Sequence, residues 1–355
     1  MTGDVSAVPA VPAVPAVPAV PAVPAEQREV WLRARPDGAL KVDDFELVRV
    51  PVPEVRAGQV LVRNRLMSVV AVMRTLVEGG DDLPVPAAEL GEPMWGPALG
   101  EVVAAPGGEL VPGDLVTHMR GWREYAAVDV GEARPVDTAV LPDAAAHLSQ
   151  AMTGWLGVVR GAEVRHGDTV FVTGAAGGVG TMAGQFARLR GARRVIGSTG
   201  SRSKADYLIK ELGYDAVVLR GGAPIEEQLR EAAPEGLDAV FDNVGGEQLT
   251  AALAVANRGA RVGLVGALSG QLGGGFSAPV EVDTGALILR GITLRGMAGI
   301  DHLDAIPEGM RAFGRGLRAG TLAFPHVRLS GIDQAPRALC ELLEGRHIGA
   351  VLVEL

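Results

Sequence analysis

The stretch TGAAGGVG, from Thr173 to Gly180, carries glycines at 174, 177 and 180. It follows a strand-like run, DTVFVTG, and opens a helix-like one, GTMAGQFARLR. Small residues at such a junction let the chain turn tightly and bring backbone N–H groups against a pyrophosphate, while the helix N-terminus adds partial positive charge. The chemistry expected there is dinucleotide binding; the alternative is a glycine-rich turn without a ligand. The end of the next strand indicates which dinucleotide. A protein selecting NAD usually keeps a carboxylate there for the ribose 2′-hydroxyl. This chain instead reads STGSRSK over 198–204, with Arg202 and Lys204 and no acid. Such donors suit an adenosine 2′-phosphate, so NADP(H) is the expected cofactor; a purely solvated helix start is the other reading.

Later strand ends point at the same crevice, where open α/β sheets bind ligands. Asp242, Asn243, Val244, Gly245 and Gly246 close one strand, and Gly266, Ala267, Leu268 and Ser269 close the next. Their short side chains let a nicotinamide and its ribose approach the backbone, and Asn243 offers a hydrogen bond there or a cap to the following helix. The glycine-rich run 266–275 is read as a loop over the site.

The elements that must position these residues are legible in the pattern. Strand-like runs at 168–174, 193–200, 216–220, 237–245, 260–266 and 292–299 alternate with helical stretches. Alternation of this kind predicts a doubly wound parallel sheet, because parallel neighbours need crossover helices. Before it, from Glu29 to about Asp143, short apolar runs broken by Pro and Gly predict a compact, mostly antiparallel β unit. A Pro-broken pattern returns from about Ala323 and ends in AVLVEL, so the C-terminus is expected to complete that unit. The expected division is a tail over 1–28, a β domain over 29–145 completed by 323–355, and a dinucleotide domain over 146–322.

Composition excludes several classes. The 355 residues hold 33 basic and 42 acidic side chains, a net charge of −9, which lacks the basic stripe that nucleic acid requires. Residues 7–25 repeat Ala-Val-Pro, a pattern that forbids a helix and is read as a disordered extension or, alternatively, a proline-rich docking tail. It has no basic start and makes neither a signal peptide nor a membrane span. Cys340 is the one cysteine and the six histidines are dispersed, so no metal site is expected and a reducing cytoplasm fits.

FELVRVPVPE, LGEPMWG, GWREYAAVD, AMTGW, GAAGGVG, LGYDAVV, FDNVGG, GALS and EGRHIGAVLVEL together resemble the zinc-independent medium-chain dehydrogenase/reductases, in the prostaglandin, alkenal and curcumin double-bond reductase branch. The resemblance covers nearly all of 29–355. It implies a GroES-like β domain interrupted by a Rossmann domain, often as a homodimer. It also places Gly177, Gly178, Val179 and Gly180 at the phosphates, Lys204 at the 2′-phosphate and Asn243 beside the cofactor. Val265 through Gln271 match the nicotinamide-side loop, and Met297, Ala298 and Gly299 match the strand end that contacts the ring's amide. Arg220 stands where the family has a tyrosine near the adenosine phosphate, and His347 where an asparagine contacts the cofactor.

Departures from the family bear on the substrate. Its Asp-Pro-Tyr-Met-Arg segment appears as Val70-Ala71-Val72-Met73-Arg74, the loop tyrosine as Gln271, and another tyrosine after the Met-Thr-Gly motif as Val158. A more apolar pocket for a small electrophile is expected, with Gln271, a ribose hydroxyl or water stabilising developing negative charge. Three functions follow: reduction of an activated carbon–carbon double bond; reduction of a carbonyl or iminium in a biosynthetic pathway; or NADPH binding without catalysis.

Overall fold

The computed structural model describes residues 23–79, 85–108, 110–273, 275 and 277–355; most of the Ala-Val-Pro repeat lies outside them. The first module contains β1 (Glu26–Leu32), β2 (Phe45–Pro51), β3 (Gln59–Val69), β4 (Ala98–Ala104), β5 (Leu115–His118), β6 (Tyr125–Asp129) and β7 (Arg134–Pro135). The second contains β8 (Thr169–Val172), β9 (Arg194–Thr199), β10 (Ala216–Leu219), β11 (Leu237–Asp242), β12 (Ala256–Leu264) and β13 (Thr293–Gly296). The chain then returns through β14 (His326–Ser330) and β15 (Ala350–Glu354). Strand β1 begins at Glu26, ahead of the expected start at Glu29, because Glu26–Arg28 pair in register with Arg49–Pro51 of β2.

The second sheet is wholly parallel, in the order β10-β9-β8-β11-β12-β13, which is the doubly wound order that the alternation predicts. Its central strand β8, TVFV, is buried at every residue, as a strand covered on both faces must be. The helix Gly178–Leu189 covers it with Met182, Ala183, Phe186 and Ala187, spaced one helical turn apart in pairs. Phe186 meets Trp155 and Phe313 edge to face, with centroids 5.4 and 6.2 Å apart. From Ala144 the chain forms a short 3₁₀ turn, a helix over Ala151–Leu156 and a π turn over Gly157–Gly161. It lies tight on the sheet because Gly157 and Gly161 have no side chain: a Cβ on Gly157 would stand 2.2 Å from the Phe241 ring.

The first module's larger sheet runs β14-β15-β3-β4-β5-β7, with β6 also on β3. β15 pairs antiparallel to β3, Leu352 opposite Ser68, so the C-terminal strand sits inside this sheet. Among the described residues no helix is long and apolar enough to cross a membrane.

Candidate active site

The carboxyl ends of the parallel strands carry nearly every residue singled out above. After β8 the chain turns at Gly174, whose φ of +60° favours glycine, and Gly177 caps the helix Gly178–Leu189. Gly177 is exposed and Gly180 is buried. A Cβ on Gly180 would lie 2.4 Å from Gly174 O and 2.6 Å from Ala175 Cα, so only glycine lets the helix start this close to the strand. Beneath it Tyr214 donates to Gly180 O at 2.8 Å, and burial pushes that phenol's pKa up. The exposed Gly177, first-turn N–H groups and a backbone that a Cβ on Gly180 would block form a cradle that fits a pyrophosphate.

Residues at the ends of β9 and β10 flank this loop. Arg202 and Arg220 are exposed and Lys204 is half-buried. Ser201 caps the helix Arg202–Leu212, and the Arg220 guanidinium overlies Gly200. Burial, and then the charge of Arg220, lower the Lys204 pKa. Its ammonium donates to Gly345 O and, at 2.7 Å, to His347 O, both in the first module.

The ends of β11 and β12 are built around a buried carboxylate. Asp242, 1% exposed, accepts from Thr173 Oγ1 at 2.8 Å and from the Gly245 N–H at 3.0 Å. Burial raises its pKa, and these donors work in the opposite direction. Asn243 N–H donates to Thr173 Oγ1, so the strand-end turn is locked to β8. Val265 N–H and Gly266 N–H donate to Asp242 O, and Ser269 donates to Val244 O, which binds the β12 loop to the β11 loop. A Cβ on Gly266 would stand 2.5 Å from Asn243 Oδ1. Leu268 and Gln271 belong to a short helix, Leu268–Leu272, rather than to an open loop. That helix packs against Met73–Glu78 of the first module. Met297 N–H donates to Leu264 O, and Ala298 and Gly299 follow it into solvent.

Val158 is wholly buried in the second module's core, so the residue there does not alter the cleft wall. His347 is not a free donor: its Nε2 is 2.9 Å from Glu341 Oε2, leaving Nδ1 for a ligand. Arg74, buried, is spent on Glu78 and on Gly38 O.

Sequence reasoning missed the residues that join the modules. Gly349 N–H donates to Ala176 O at 2.9 Å, and a Cβ there would stand 2.0 Å from Pro325 O. Gln150 donates to Ser68 Oγ at 3.1 Å while its carbonyl lies against Gly178. A glycine with positive φ in the quoted EGRHIGAVLVEL was a usable signal for Gly349; nothing local marks Gln150.

Comparison with known proteins agrees with this geometry. A family profile described as the N-terminal domain of oxidoreductase matches residues 28–136, and one described as zinc-binding dehydrogenase matches residues 178–314. A Bacillus subtilis protein named as an NADP-dependent oxidoreductase is 33% identical, over 93% of this chain and 98% of its own. Rabbit (Oryctolagus cuniculus) prostaglandin reductase 1 is 30% identical, over 86% of this chain and 87% of its own. The chain is a medium-chain dehydrogenase/reductase of the double-bond reductase branch. The structure of CurA from Vibrio vulnificus in complex with NADPH superposes on this reductase with a TM-score of 0.84 at 28% identity, covering 92% of this chain and 98% of that one. Although one matching profile is named for zinc, no three His, Cys, Asp or Glu side chains converge among the described residues of this reductase. Its Cys340 sits 3.5 Å from Leu40 O, and burial pushes the thiol pKa to about 11.

Proposed function

We propose that this reductase uses NADP(H) to reduce an activated carbon–carbon double bond, of the enone or enal type. The observation that carries the reading is the cradle at Gly177–Gly180, with Arg202, Lys204 and Arg220 after the neighbouring strands β9 and β10 and Gln271 on the short helix that follows β12. Gly177, Gly178, Val179 and Gly180 hold the pyrophosphate by backbone N–H groups, while Asn243 and Val265 through Ser269 bound the nicotinamide riboside. Met297, Ala298 and Gly299 offer main-chain groups to the ring's amide, and His347 offers Nδ1. NADPH, when bound, supplies a hydride. Gln271 donates its amide N–H to the substrate oxygen on which charge develops, and solvent protonates the α carbon. The module boundaries in this reading are those given above, 146–322 and 29–145 with 323–355, moved at the start to Glu26. The working form is a homodimer in a reducing cytoplasm, acting on small apolar electrophiles.

A second reading, an iminium substrate, draws support from the same wall: Tyr125, Tyr207 and Tyr214 are the chain's tyrosines, and Tyr214 is spent beneath the phosphate loop. An electrophile that is already cationic needs no donor. Measuring NADPH consumption against enal, enone, aldehyde and cyclic imine panels decides between them. Turnover is expected with the enals and enones; oxidation only with imines or aldehydes overturns the first reading, and none with any class leaves a cofactor binder.

A further inference from the structure

The cations at the ends of β9 and β10 are bonded differently, and the difference divides their work. Lys204 gives its ammonium to the carbonyls of Gly345 and His347. Both lie in the link between the helix Ala335–Leu343 and β15, the same link whose Gly349 N–H bonds Ala176 in the phosphate loop. An ammonium has three N–H donors. Two of them are therefore committed to the first module. The half-burial of Lys204, which lowers its pKa, is the cost of that position.

Arg220 is placed otherwise. Its guanidinium lies over Gly200, where a Cβ would meet Nη2 at 3.2 Å. Gly200 directly follows β9, the position at which an NAD-selecting protein keeps its carboxylate. The Arg220 side chain is exposed and forms no hydrogen bond or ion pair among the described residues, so its whole planar fork of donors is available. That fork matches a phosphate in two parallel bonds, which a lysine with one remaining N–H does not.

We propose that Arg220 selects the cofactor's 2′-phosphate and that Lys204 is a positioning residue, strapping the Gly345–His347 link to the dinucleotide module. The proposal rests on the NADP(H) reading above. It is tested by calorimetric titration of NADPH and NADH into the wild-type protein, Arg220→Ala and Lys204→Met, with amide hydrogen exchange of residues 345–349 followed in each. Arg220→Ala is expected to weaken NADPH by roughly 10- to 100-fold, the usual loss for a charge-assisted bonded pair, with NADH nearly unchanged. Lys204→Met is expected to weaken both cofactors by a similar factor and to speed exchange in the link, which Arg220→Ala leaves protected. An unchanged NADPH-to-NADH ratio in Arg220→Ala overturns the proposal. So does a loss confined to NADPH in Lys204→Met with the link still protected. Wild-type protein that binds neither dinucleotide overturns the cofactor reading itself, and this proposal with it, a result distinct from either variant's failure.

Discussion

Gln271 is 7% exposed, yet its amide forms no hydrogen bond among the described residues. Its side-chain nitrogen and oxygen are not among the sealed polar atoms that lack a partner, so they stay open to a bound molecule. A donor aimed at charge that appears only in the transition state lowers the barrier without tightening the ground state. Gln271→Ala should therefore lower kcat with an enal by about 30- to 100-fold while leaving the calorimetric Kd for NADPH within about twofold of wild type. Steady-state kinetics beside calorimetry check this; a Kd that rises in step with the kinetic loss would place Gln271 in cofactor binding instead. The residue was legible in the sequence only as a substitution, glutamine where relatives carry tyrosine. The helix that carries it contacts Met73–Glu78, nearly 200 residues earlier in the chain, which no local pattern encodes.

The elements were far more legible than their junctions. Strand-like runs of four to nine residues alternating with helices mark the six parallel strands, and the signature is strongest where both faces are buried, as in β8. The TGAAGGVG loop is readable for the same reason: steric demand falls on particular positions of a short segment. At Gly180 that demand is severe, since the atoms a Cβ would strike, Gly174 O and Ala175 Cα, are backbone and cannot swing aside. Gly180→Ala should then separate the helix from β8, destabilising the protein by about 1–3 kcal/mol as overpacking does. NADPH affinity should fall as well, because the N–H groups of the first turn move with the helix. Thermal unfolding and calorimetry read the two effects; a variant with wild-type melting and wild-type affinity would mean that the loop is not the cradle. The link Gly345–Gly349 and Gln150, by contrast, matter through contacts across the two modules, so their roles emerged only from the folded chain.

At the scale of the whole molecule, the second sheet stops at β13, which pairs with β12 and, among the described residues, has its other edge open. Apolar side chains flank that edge: Ile288 is 79% exposed, Leu289 75%, Ile300 73% and Leu303 58%. An open strand edge beside exposed large aliphatics invites association, and a second copy of the same surface covers both by a twofold axis. The homodimer proposed above would use this face. Sedimentation should give a mass twice the 36.7 kDa of one chain, and Leu289→Asp with Ile300→Asp should return it to one chain by burying charge against apolar surface. Because Ile300 directly follows Met297–Gly299, freeing the edge should also loosen the nicotinamide side of the cleft and weaken NADPH by a few-fold. A wild-type mass of one chain at every concentration would remove the dimer. A dimeric wild type whose double variant stays dimeric would move the interface elsewhere, and Met297–Gly299 would then need support from within its own chain.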